Sequence, residues 1–130
     1  MISKEAQKGA EFCVDLIIED WERLYKENPD STFNLDAESW KEAKNNFNSL
    51  GHLKAIRKSD YTDWDVVIEC AMTQIHNLTE EIKYWEDDYD ETWLIKQLKV
   101  IKQLKALLEE SGWDSIFTSE VKQFLKEYKT

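Results

Sequence analysis

Trp64, Ile68, Ala71, Ile75, Leu78, Ile82 and Trp85 recur at alternating steps of four and three residues. This heptad spacing predicts one helix of roughly 24 residues carrying an apolar seam. Upstream, Ala6, Ala10, Cys13, Ile17, Trp21 and Leu24 share one side of a helical wheel. Ser3 is placed to cap that helix, which runs to about Glu27 and stops before Asn28-Pro29-Asp30. Asn34 or Asp36 starts a second helix with Trp40, Ala43, Phe47 and Leu50 on one face and Gly51 as its stop. His52 to Ser59 reads as a connector with at most one helical turn around Leu53 and Ile56, and Asp60 and Asp63 give the heptad helix an acidic start.

The run Glu86 to Glu91 interrupts the heptad and reads as a connector. Thr92 or Asp90 caps the next helix, which ends at Ser111-Gly112. Its apolar arc is wide: Leu94, Leu98, Ile101, Leu104 and Leu108, flanked by Trp93, Val100 and Leu107, with Lys96, Lys99, Lys102 and Lys105 on the other half. A last helix begins near Thr118 and turns Val121, Phe124, Leu125 and Tyr128 inward. The sum is an all-α protein, an irregular antiparallel bundle of about five helices forming one domain over residues 1–130. Three glycines and one proline leave little material for hairpins, and six Trp, five Tyr and five Phe supply a core that a disordered acidic chain lacks. Neither a charged-then-apolar leader nor an apolar run of about 18 residues is present. The expectation is a soluble, cytoplasmic protein with no membrane partner.

Charge changes this picture. The segment from Asp60 to Trp93 holds eleven acids against one base, Lys83, which equals the whole net charge of −10. Such a block attracts a basic partner at long range and repels nucleic acid, so direct nucleic-acid binding is not expected. The lysines of the following helix stand close enough in sequence to cancel part of it internally. A second acidic set, Glu11, Asp15, Glu19 and Glu22, lies opposite the apolar side of the first helix. Like charges at these spacings cost about 0.2–0.5 kcal/mol per pair. A solvated face explains them, and the frustration also permits a secondary contact surface for a cation-rich partner.

Reaction chemistry is not visible in the chain. His76 and Glu80 are four apart, but Thr73 stands where a di-metal Glu-x-x-His unit needs its glutamate. Glu19 with Glu22, and Asp87 with Asp90, have the spacing that helical nucleotide pyrophosphohydrolases use for magnesium, yet the pairs are too far apart for that family and the second sits in a connector. The acidic connector lacks the central glycine of a calcium loop, and no nucleophile elbow or phosphate-cradling glycine loop occurs. Cys13 and Cys70, far apart in sequence and without a spacing motif, read as small buried hydrophobes. No catalytic residue, metal site or cofactor is assigned.

The densest stretch, Tyr84 to Trp93, alternates acids with aromatic residues. One reading makes Trp85 and Trp93 core anchors flanking a solvated turn. The other exposes aromatics ringed by carboxylates, a surface suited to a cationic cleft through apolar area and cation–π contacts. On the second reading the partner-binding residues are Tyr84, Glu86, Asp87, Asp88, Tyr89, Asp90 and Glu91. The Tyr84-Trp85-Glu86-Asp87 pairing and the local charge resemble small acidic helical immunity proteins, which neutralise bacterial nuclease toxins. The resemblance implies stoichiometric binding of a basic nuclease toxin without catalysis. The Tyr-Tyr-Pro signature of the colicin DNase immunity proteins is not matched, so no residue roles carry over. Two alternatives stay open: a phage-type DNA mimic that inhibits a defence protein, joining the Glu11 to Glu22 acids to the main block, and a structural or adaptor protein that self-associates through the seam from Trp64 to Trp85. The expected oligomeric state is a monomer or a weak homodimer.

Overall fold

Ser3 opens the first helix: its backbone is extended and its hydroxyl accepts the N–H of Ala6 at 3.1 Å. In the computed structural model, which describes residues 3–46, 61–85, 90–111 and 116–127, five helices occur among the described residues. They are α1 (Lys4–Glu27), α2 (Phe33–Asn46), α3 (Tyr61–Tyr84), α4 (Glu91–Glu110) and α5 (Ile116–Glu127). The protein is all-α, with helix packed on helix. Phe47, Leu50 and Gly51, the connector 52–59, Glu86 to Tyr89, Gly112 and Tyr128 lie outside the described residues, as do the side chains of Ala43 and Trp64.

Pro29 disfavours helical backbone at Asn28, so α1 stops there, with the Asn28 N–H returning to the carbonyls of Leu24 and Tyr25. A turn follows in which the main chain and hydroxyl of Ser31 both donate to the Asn28 carbonyl, at 3.0 and 2.6 Å. The Phe33 N–H donates to the Ser31 hydroxyl oxygen at 3.4 Å, and α2 therefore begins at Phe33, slightly ahead of the expected Asn34 or Asp36. The rings of Trp21 and Phe33 lie 5.4 Å apart across this turn and help fold α2 back onto α1.

Further along, Asp90 caps α4: its carboxylate accepts the N–H of Thr92 at 3.1 Å, and its carbonyl takes the N–H of Leu94. Glu91, expected in the connector, is the first helical residue. At the other end Ser111 is buried, and both its N–H and its hydroxyl donate to the Leu107 carbonyl. Helix α5 starts at Ile116 rather than near Thr118.

The core is built around α1 and α4. Helix α1 packs against α2, α3 and α4, while α4 also contacts α3 and α5. Because α1 touches three neighbours, its buried arc is wider than one stripe and takes in Gly9, Val14 and Ile18 beside Ala6, Ala10, Cys13 and Ile17. Ser3 meets Glu110 and Gly9 meets Gln103, so α1 and α4 run antiparallel. From α3 come Val67, Ile68, Ala71, Ile75 and Ile82; from α4 come Leu94, Leu98, Ile101, Leu104, Leu107 and Leu108. Each fully buried Leu or Ile contributes on the order of 1.5–3 kcal/mol relative to an exposed one. Val121 and Phe124 of α5 close the core.

Candidate partner-binding surface

The α3 helix ends at Tyr84, and the last ladder bond brings the Trp85 N–H to the Glu81 carbonyl. Ile82, the last fully buried heptad position, still faces the core. Trp85, three residues later, falls in the turn after the helix and is 45% exposed. Tyr84 is 79% exposed. The two rings meet edge to face, with centroids 5.0 Å apart and planes at 84°. This geometry is favoured by the aromatic quadrupole, and each ring limits the freedom of the other. The reading that makes both Trp85 and Trp93 core anchors holds for only one of them: Trp93 packs partly buried against the core, whereas Trp85 stands half out of it.

Two acids of the same helix stand beside this pair. Glu80 and Glu81 are exposed one turn before Tyr84, and together with Lys83 they line an open depression of about 560 Å³ beside its ring. Asp90 and Glu91 are exposed on the far side of the connector. Both suit the N-terminus of α4, where the helix dipole favours negative charge, and Asp90 also makes the cap. Glu86, Asp87, Asp88 and Tyr89 lie outside the described residues. The single base of the acidic block, Lys83, sits 3.8 Å from Glu80, and its ammonium lies 5.9 Å from the Phe124 ring centre. It thereby leans toward α5. Trp85, Glu80 and Glu81 were not among the expected contact residues, although i, i+3 and i, i+4 spacing from Tyr84 puts both glutamates beside it.

The acids of α1 are arranged differently. Lys44 of α2 pairs with Asp15 at 2.5 Å, and Lys41 pairs with Glu22 at 3.6 Å and with Glu38 at 3.4 Å. Glu11 accepts a hydrogen bond from Gln7 at 3.4 Å. Glu19 is exposed. Two of these four acids therefore face the lysines of the neighbouring helix. On α4, Lys96 and Lys99 are exposed, and Lys105 pairs with Glu109 on its own helix at 2.7 Å.

The heptad seam is occupied within the chain, since Ile68, Ala71, Ile75 and Ile82 are buried in the common core. His76 is exposed, and its carbonyl accepts the Thr79 hydroxyl. Among the described residues no group of three or more His, Cys, Asp or Glu side chains is arranged to hold a metal ion, and no helix is long and apolar enough to cross a membrane. Among the described residues, this surface sets the Tyr84 and Trp85 rings beside the Glu80 and Glu81 carboxylates and the Lys83 ammonium. No protein-family model matches the chain, and no curated protein or solved structure is significantly similar to it.

Proposed function

We propose that this chain is a non-catalytic binding protein that neutralises a basic partner, in the manner of an immunity protein acting on a nuclease-type toxin. The observation that carries the proposal is the exposed Tyr84–Trp85 pair, with Glu80 and Glu81 beside Tyr84, in the segment whose sequence holds the chain's entire net charge. Large rings that stand in solvent at the end of a well-packed helix contribute little to the fold. They are the side chains that most often anchor an interface. An arginine or lysine of a basic partner gains a cation–π contact from them and a counter-charge from the carboxylates. The wider block, including Glu86, Asp87, Asp88 and Tyr89, accelerates encounter and rejects anionic competitors. The proposed setting is cytoplasmic, with a monomer as the binding unit.

Pairing of Asp15 and Glu22 with α2 lysines favours this reading over a DNA mimic, because a mimic needs an unbroken track of free acids running from α1 to the main block. Burial of the seam favours it over self-association.

The test is recovery of the tagged protein from its native host at low salt. A stoichiometric basic partner, released by roughly half-molar salt and inhibited in its nuclease activity, is the expected result. Replacing both Asp87 and Asp88 with lysine slows association and flattens its salt dependence, whereas Trp85→Ala acts on dissociation. Recovery of the protein alone, at low salt and from cells expressing it at native level, overturns the proposal.

A further inference from the structure

The two cysteines, fifty-seven residues apart in sequence, meet where α1 packs on α3. Cys13 is fully buried and Cys70 half-buried, and the Cys70 sulfur lies 3.9 Å from the Cys13 carbonyl oxygen, to which its thiol donates. The two sulfurs are also close enough for each to shift the proton affinity of the other. Small neighbours make this approach possible: Cys13 continues the completely buried pair Ala6 and Ala10, and Cys70 precedes the completely buried Ala71. We propose that Cys13 and Cys70 are a modification site, closing to a reversible intramolecular disulfide that ties α1 to α3 when a low-molecular-weight disulfide serves as oxidant. This inference is independent of the partner-binding reading.

The environment assigns different tasks to the two sulfurs. The hydrogen bond from Cys13 pulls the Cys70 thiol down, against burial and the Asp20 carboxylate, which push it up. The Cys13 thiol is pushed up by its hydrogen bond to Cys70, by burial and by the charge on Cys70. Cys70 therefore loses its proton first, and it is also the less buried residue of the two. Its thiolate attacks one sulfur of the external disulfide, and the other sulfur leaves as a thiolate that takes up a proton. Cys13 then gives up its proton and attacks the Cys70 sulfur, expelling the second external thiol. Two protein thiols lose two electrons and two protons, and one external disulfide becomes two thiols. Closure requires a local adjustment of the α1–α3 contact that brings the sulfurs to bonding distance, because a disulfide accepts only a narrow range of backbone separations.

The experiment treats the folded protein with oxidised glutathione, quenches with iodoacetamide in denaturant, and reads intact mass and linked peptides. The expected product is a single chain lighter by two hydrogens, with no alkylated cysteine and one peptide pair joining Cys13 to Cys70, all reversed by dithiothreitol. Cys13→Ala should instead hold a glutathione adduct on Cys70 that persists about tenfold longer than any adduct on the wild-type chain, because the resolving thiol is gone. Stalling of the wild-type protein as a Cys70 adduct, cross-linking between chains, or two fully alkylated cysteines overturns the proposal. If Cys13→Ala fails to fold, the wild-type mass decides alone.

Discussion

Glu110 accepts two hydrogen bonds from Ser3, one from its main-chain N–H and one from its hydroxyl, each 2.6 Å long. A carboxylate at the C-terminus of α4 thus completes the cap of α1. The position is unfavourable for the dipole of α4 and favourable for that of α1, whose first turn presents unsatisfied N–H groups. The hydroxyl of Ser3 gives its proton to Glu110 and accepts the Ala6 N–H, so one side chain serves both helices. Ser3→Ala removes the cap and half of the tie and should lower stability by about 1 kcal/mol. Glu110→Ala should cost about half as much, since the pair is exposed and screened by solvent. Urea unfolding of both variants and the double variant tests the coupling: the double loss should be smaller than the sum.

Gly9 is required by a close approach between helices. A Cβ built there would stand 2.5 Å from the Gln103 carbonyl oxygen and 2.9 Å from its carbon, both backbone atoms that no rotamer change can move. Alanine is intrinsically better than glycine in a helix by about 1 kcal/mol, but here α1 and α4 must separate to admit it. Gly9→Ala should therefore be net destabilising, by about 1–3 kcal/mol. The exposed neighbour Lys8 offers the control: Lys8→Ala should change the unfolding midpoint very little.

Helix positions and faces were legible because burial imposes a period. Ile68, Ala71, Ile75 and Ile82 are buried as their spacing requires, and Ser3, Asn28, Asp90 and Ser111 stand at the helix ends where their chemistry puts them. Which stripe meets which was not legible, because periodicity orients a residue within its own helix and says nothing of the neighbour. That is why Cys13 and Cys70 read as unrelated, although the packing of α1 on α3 brings them together. The α2 partners of the α1 acids were not legible for the same reason. Asp15 and Glu22 remain about half exposed, and only the rotation of α2 presents Lys44 and Lys41 to them. Trp85 illustrates a different limit: the heptad counts it as core, but the helix ends one residue too early to carry its ring inward.

The Asp15–Lys44 pair should matter modestly and in a salt-dependent way. Both side chains are about half exposed, so removing the attraction costs at most about 1 kcal/mol. Charge reversal with Lys44→Glu adds repulsion from Asp15 and should destabilise more than Lys44→Ala does. The difference between these two variants should shrink as sodium chloride rises toward molar concentration, where the screening length falls to about 3 Å. Thermal unfolding at low and high salt measures it. A salt-independent difference would mean that the lysine stem, rather than its charge, supports α2.

At the end of α3, two residues that are two apart have opposite surroundings. Ile82 is completely buried in the core, so Ile82→Ala should cost about 2–5 kcal/mol. Tyr84 is mostly in solvent, and Tyr84→Ala should leave stability within about 0.5 kcal/mol of the parent. Asp90 stands between these cases: as the cap of α4 its change to alanine should cost about 1 kcal/mol whether or not a partner is present. With the proposed basic partner in hand, Tyr84→Ala should weaken binding by at least about tenfold, or 1.4 kcal/mol, without moving the melting temperature. The comparison separates two roles that a binding assay alone would merge. A drop in melting temperature for Tyr84→Ala as large as that for Ile82→Ala would assign the ring to the core. An unchanged affinity alongside unchanged stability would remove Tyr84 from the partner surface.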